Sequence, residues 1–281
     1  MAHNEQMIDF WNGPGGQAWA RNADEQDREL AALGEATFDA LAVGRGESVL
    51  DVGCGPGSTT LALAARAGAE GRVVGLDISA PLLDLGRRRA DGLANVTFVE
   101  ADAQTATVPG APFDAVFSRF GVMFFDDPPA AFANLHEATT PGGRLAFVCW
   151  REPDANPWFL RPMEALAGLP GVEVGPPAGP DQPGPFAFAD PERVRRILDS
   201  GGWNAIDVRP HDDEIVDDLE HRVDFTMRQG PASRALAGAD DAVRAEATVR
   251  VRHVLAAFAD GEAVRIPRAA WIVTASASPA P

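Results

Sequence analysis

The sequence predicts an α/β fold in which a parallel sheet is covered by helices on both faces. Three observations predict it. Short apolar runs alternate with helix-like stretches from residue 48 to 150, the spacing of βαβ units. The runs are dominated by apolar residues, as strands of a parallel sheet covered on both faces are. The first run breaks into a glycine-dense turn that feeds a helix. At 281 residues the chain is long enough for one large domain or two modest ones. It reads as one, 1–281, with an N-terminal cap (1–43), a core (44–150) and a C-terminal half (151–281) carrying loop and helical insertions.

Residues 47–53 (ESVLDVG) read as the first strand and 58–66 (STTLALAAR) as a helix with a Ser/Thr start. The second strand is 72–77 (RVVGLD), and Ser79 is placed to cap a helix containing Leu82, Leu83 and Leu85. Strands follow at 95–100 and 113–118. Asp127 and Pro128 then start a helix over 128–139 that stops before Pro141-Gly142-Gly143, and a fifth strand runs 144–150. Residues 168–185 are rich in Pro and Gly and read as a loop. Asp190-Pro191-Glu192 combines a cap, a first-turn proline and a first-turn acid, with Val194, Ile197 and Leu198 on one face and Gly201 as the stop. A sixth strand is expected within 203–216, helices within 217–260, and a last strand over 264–275 interrupted near Pro267.

Composition excludes several chemistries. All 24 basic residues are arginine, and the chain has neither lysine nor tyrosine. Schiff-base catalysis, the P-loop lysine and the kinase strand lysine are therefore unavailable. A Tyr/Lys dehydrogenase pair is unavailable as well. With 41 acids against those arginines the net charge is −17, and no basic stripe is present to hold a nucleic acid or an anionic membrane. The opening lacks a signal-peptide pattern and no run reaches transmembrane length, so a cytoplasmic location is expected. Cys54 and Cys149 form neither a disulfide framework nor a metal set.

The chemistry concentrates in Asp51-Val52-Gly53-Cys54-Gly55-Pro56-Gly57. Glycines let a ligand lie against bare backbone, and the following helix N-terminus favours a carboxylate or phosphate. The spacing is G-x-G-x-G, with Ser58 standing where a dinucleotide fingerprint wants a small residue such as glycine. Asp77 ends the second strand 20 residues after Gly57, where an acid can accept ribose hydroxyls. Asp102 follows the third strand, in reach of an adenine amine. All three lie at the carboxyl ends of successive strands, where open α/β sheets bind ligands.

VLDVGCGPG, VVGLDIS, FVEADAQ, FDAVFSRFGVMFF and PGGRLAFVCW, in that order, resemble the motifs of class I S-adenosylmethionine-dependent methyltransferases. The similarity is closest to the ubiquinone/menaquinone-biosynthesis-like small-molecule branch. FWNGPGGQAW near the start and PGPFAFADPERVRRIL later extend it over nearly the whole chain. The resemblance implies a Rossmann-like, seven-stranded, mostly parallel sheet whose last strand is antiparallel. It implies S-adenosyl-L-methionine as cofactor, with Gly53, Cys54, Gly55 and Gly57 along its methionine portion and Asp51 supporting the loop and the amino group. Asp77 would hold the ribose, Ile78 would flank adenine, and Asp102 and Ala103 would read the adenine edge. Ser118, Arg119 and Phe120 would pass beside the methionine amino group and the sulfonium.

The expected reaction is in-line methyl transfer to a small-molecule acceptor, in which holding the reactants about 3 Å apart supplies several kcal/mol. Phe10, Trp11 and Trp19 in the cap, with Phe120, Phe124 and Phe125, are pocket or core candidates. Arg119 and Arg21 are either solvated or available to an acidic group. A general base would have to be His, Asp, Glu or water, and none of His136, His211, His221 and His253 stands out. Asp127-Pro128-Pro129 is similar to the motif of amino-group methyltransferases, yet Ala130 replaces its aromatic residue and a helix cap explains it. Two alternatives remain open at this point: a nucleotide-dependent oxidoreductase on a similar sheet, and a catalytically idle cofactor-binding sensor.

Overall fold

The computed structural model describes residues 4–278; the first three residues of the expected cap and the last three of the chain lie outside them. Four helices open the chain: α1 (Glu5–Asn12), α2 (Pro14–Arg21), α3 (Ala23–Glu29) and α4 (Ala31–Leu41). The alternating core follows as β1 (Ser48–Val52), α5 (Ser58–Ala67), β2 (Arg72–Asp77), α6 (Ala80–Arg89), β3 (Val96–Glu100), β4 (Phe113–Arg119), α7 (Pro128–Glu137) and β5 (Thr139–Trp150). Then come α8 (Pro157–Leu166), α9 (Pro191–Ser200), β6 (Asn204–Asp217), α10 (Leu219–Arg228), α11 (Gly230–Ala235), α12 (Asp241–Ala256), β7 (Ala259–Asp260) and β8 (Ala263–Ser276). No helix or strand forms over 168–185, as its Pro and Gly content predicts.

The strand order is β3-β2-β1-β4-β5-β8-β6, with β7 paired to β8. β1 to β5 are mutually parallel along that order. β8 runs antiparallel to β5, because Gly142 N–H meets Ser278 O while Arg151 N–H meets Ala269 O. The sheet is therefore mostly parallel with an antiparallel end, as expected, and the short β7 is an addition. Both faces are covered. Phe117 on β4 stacks on Phe38 of α4 at 4.6 Å, whereas Phe147 on β5 packs on Phe132 of α7 at 5.6 Å. Phe117 pairs in register with Ala146, so Phe147 points to the opposite side.

Two expected boundaries change. β5 begins at Thr139, and Pro141-Gly142-Gly143 lies inside it as a bulge: its register to β4 slips between the pairs Phe113–Thr139 and Ala115–Arg144. The displaced peptides Gly142 and Gly143 are taken up by Ser278 and Ala277 of the C-terminal strand region. β8 runs through Pro267 without interruption. Proline's fixed φ suits extended chain, Pro267 faces outward, and the alternation of buried Val264, Ile266 and Arg268 continues across it.

The chain divides into two compact units. One comprises the described residues through Cys149, with 178–210 and those from Trp271 onward; the other comprises 150–177 and 211–270. The first unit has a core of Phe38, Leu41, Val49, Leu63, Val73, Ala115, Phe117 and Ala146 between α4, α5 and the sheet. The second has its own, in which Leu166, Val223, Leu236, Val251, Leu255 and Ile266 meet. Inside it the buried Asn156 side chain accepts from Ala269 N–H at 3.1 Å and donates to Ala269 O at 3.0 Å, acting as a strand partner for β8. Arg268, 4% exposed, is matched by the Asp213 carboxylate. Among the described residues no helix is long and apolar enough to cross a membrane, and no group of His, Cys, Asp and Glu could hold a metal ion.

Candidate active site

The site is built in the first unit, at the carboxyl ends of β1, β2, β3 and β4. After Val52 the chain turns through Gly53 (φ +66°) and Gly55 (φ +52°), left-handed conformations that L side chains rarely adopt. Gly53 is also a close approach: a Cβ there would lie 2.7 Å from Gly121 Cα after β4. A Cβ on Gly55 would instead meet only Leu82 Cδ1 at 4.0 Å, so this face of the loop is open. The loop is tied to β2, with Gly53 N–H donating to Leu76 O at 2.8 Å and Gly55 N–H to Asp77 Oδ2 at 2.8 Å.

Asp51 lies beneath the loop, fully buried. Its Oδ2 accepts from Thr59 Oγ1 and Thr60 Oγ1, both at 2.7 Å, while Oδ1 has no hydrogen-bond partner. Burial pushes the carboxyl up to about 6, against the two threonine donors. Asp77 is held differently, by Gly55 N–H on Oδ2 and by Ser79 N–H on Oδ1 at 2.8 Å. Burial raises its pKa too, and these peptide donors partly offset the rise. Cys54 is buried in the same loop, and burial pushes its thiol well up, so it is a neutral wall and no nucleophile.

The remaining candidates are equally fixed. Asp102 Oδ1 accepts Gln104 N–H at 2.9 Å, and the buried Ala103 carbonyl accepts from Asn134 of α7 at 2.8 Å. Ser118 is buried, donating to Val52 O at 2.8 Å and accepting from Gly121 N–H at 3.2 Å. Phe120 is buried at φ +63°, a strained backbone at the end of β4. The Arg119 guanidinium donates to Asp27 at 2.7 Å and to Ser58 at 3.1 Å, so it is engaged within the protein and not free for an acidic ligand group.

The cap is fastened to the β2 side of the site. Asn12 donates to Ile78 O at 2.8 Å and accepts Ala80 N–H at 2.9 Å. Ser79, expected to cap α6, sends its hydroxyl to Trp11 O at 2.6 Å instead and makes no cap bond. Half-buried Trp11 is the hub of an aromatic cluster, edge-on to Phe10 (5.1 Å), Trp19 (5.8 Å) and Phe124 (5.5 Å). Phe125 separates from this cluster and packs on Phe132 in the core. His136 is half-buried, 5.3 Å from and edge-on to Trp203; His211, His221 and His253 belong to the second unit. Asp27, Asn12, Asn134 and Arg89 escaped the sequence reading, because each works through partners that are distant in the chain.

The sheet order, with a bare loop and acids gathered at the carboxyl ends of its strands, is the class I methyltransferase architecture. Comparison with known proteins agrees. Residues 49–143 match a family model described as a methyltransferase domain. A demethylmenaquinone methyltransferase from Thermus thermophilus is 32% identical over 169 residues, 56% of this chain and 74% of that protein. An aklanonic acid methyltransferase from Streptomyces sp. is 32% identical over 138 residues, 47% of this chain and 63% of the relative. Phosphoethanolamine N-methyltransferase 2 of Haemonchus contortus, solved with S-adenosyl-L-methionine, superposes with a TM-score of 0.60 at 16% identity, covering 100% of this chain and 61% of that one. The chain belongs to the class I S-adenosylmethionine-dependent methyltransferases, in the ubiquinone/menaquinone-biosynthesis-like branch.

Proposed function

We propose that this chain binds S-adenosyl-L-methionine at the tips of β1 to β4 and transfers its methyl group to a small-molecule acceptor. One observation carries the reading: Asp51 holds a fully buried carboxylate whose Oδ1 has no partner. A bare buried oxygen on an acid is costly unless a cation or donor meets it, and the cofactor's ammonium group is such a partner. The open face of Gly55 supports the same fit, since a Cβ placed there would have no neighbour nearer than Leu82 Cδ1 at 4.0 Å and a ligand has room against the loop.

When bound, the cofactor supplies an electrophilic methyl group on a sulfonium. The chain's own residues bind and orient. Gly53, Cys54, Gly55 and Gly57 present the loop to the methionine portion. Asp77 accepts the ribose hydroxyls with the lone pairs its peptide donors leave free, and Ile78 flanks the adenine. Asp102 and Ala103 read the adenine edge, with Ala103 clamped by Asn134. Ser118, Arg119 and Phe120 contribute backbone beside the amino group, the Arg119 side chain serving the cap. Phe10, Trp11, Trp19 and Phe124 form the apolar wall for the acceptor, which excludes water from the reacting atoms. Family membership favours this reading over the oxidoreductase and the idle sensor.

Calorimetry tests it. The protein should release heat with S-adenosylmethionine and S-adenosylhomocysteine and none with NAD or NADP. Labelled methyl should then move from the first to an acceptor in a panel of aromatic small molecules. Absence of binding to both adenosyl compounds by folded protein overturns the cofactor; binding without transfer across the panel favours the sensor.

A further inference from the structure

We infer that Asp27 is a positioning residue for the cofactor, resting on the reading above: one carboxylate on the cap joins the segments that enclose the crevice and neutralises the cations beside it. Its Oδ1 accepts from Ser58 Oγ at 2.5 Å and from Arg119 Nη2 at 2.7 Å, and its Oδ2 from Arg89 Nη1 at 2.9 Å. Each partner belongs to a different wall. Ser58 opens α5 directly after the glycine loop, Arg119 ends β4, and Arg89 ends α6 while also donating to Pro56 O within the loop at 3.1 Å. Ser58 is thus the position where a dinucleotide fingerprint wants glycine, and here its hydroxyl is used to receive the cap.

The charge count matters as much as the geometry. Asp27, Arg119 and Arg89 are largely buried, at 16%, 12% and 20% side-chain exposure, so solvent and salt screen them weakly. Asp24, one turn earlier and 84% exposed, pairs with the other end of Arg89. Two acids against two arginines leave the network neutral. Without Asp27, two guanidinium groups lose their common partner at the border of a crevice that has to accept a sulfonium. Loosened walls weaken every adenosyl ligand alike. A stranded positive charge additionally penalises the ligand that carries one more positive charge, and so separates S-adenosylmethionine from the sulfur-neutral S-adenosylhomocysteine.

The test compares the two compounds by calorimetry on the full chain. Asp27→Asn should weaken S-adenosylhomocysteine by about tenfold and S-adenosylmethionine by at least about threefold more. Asp24→Asn, a surface pair, should change neither by more than about twofold. Arg89→Gln removes a cation and should shift the ratio the other way, towards S-adenosylmethionine; it decides the matter by itself if the Asp27 variant does not fold. Equal losses for both compounds in Asp27→Asn, or no loss, overturn the inference while leaving the cofactor reading intact, as does an unshifted ratio in Arg89→Gln. Wild-type protein that binds neither compound overturns both.

Discussion

At the end of β1, Asp51 is sealed beneath the glycine loop with one oxygen on Thr59 and Thr60 and the other bare. At the end of β2, the next strand over, Asp77 has a peptide N–H on each oxygen and remains partly exposed. Both carboxyls are pushed up by burial, yet the consequences differ. Asp77 is an acceptor already aimed by main chain, suited to neutral hydroxyls. Asp51 is a charge held at a cost to the folded state, suited to a cation that arrives later.

The largest effect that sharpens this contrast is expected from Asp51→Asn, which keeps an oxygen for the two threonines and removes the charge. A carboxyl whose pKa rises from 3.8 to about 6 on folding binds its proton more tightly when folded. Stability therefore falls as pH rises between those values, and above them the folded state carries a deficit of about 3 kcal/mol. The asparagine variant should melt several degrees higher than wild type at pH 7, the gap closing below pH 4, while its affinity for S-adenosylmethionine drops. Thermal melts across pH check the sign: a variant that melts lower at pH 7 breaks the comparison.

Asp77→Ala comes next. Losing charged hydrogen bonds to the ribose should weaken S-adenosylmethionine and S-adenosylhomocysteine equally, by more than about tenfold. Unchanged affinity in calorimetry refutes the ribose role. The smallest effect is expected from Gly55→Ala. The left-handed backbone costs about 1 kcal/mol with a side chain present, a drop of about 2–4 °C in melting temperature for a chain of this size. Because the added methyl has open space around it, a much larger fall would show that the loop face is closed.

Much of the fold was legible in the sequence. Strands buried on both faces are continuous apolar runs, so β1, β2 and β4 fall within a residue of their expected limits; the half-exposed edge strand β3 does so as well, and Asp190 caps α9 through Glu192 N–H as its sequence indicates. Pro141-Gly142-Gly143 misled because a bulge depends on a partner strand more than a hundred residues away. Pro267 misled because a proline on the outward face needs no break. At the site the positions of the glycine loop and of Asp77 at the strand ends were readable, since they follow from local backbone and spacing. Asp27 was not: in ADEQDREL it looks like one acid of a solvated face, and its meaning comes from Ser58, Arg89 and Arg119, 31 to 92 positions away.

The contact between Gly53 and Gly121 sets a boundary for anyone redesigning this protein. A Cβ on either would come within 3 Å of the other's α-carbon, and both residues are already the smallest available. No smaller side chain exists to make room on the facing residue, so a substitution at either position cannot be rescued by trimming the other.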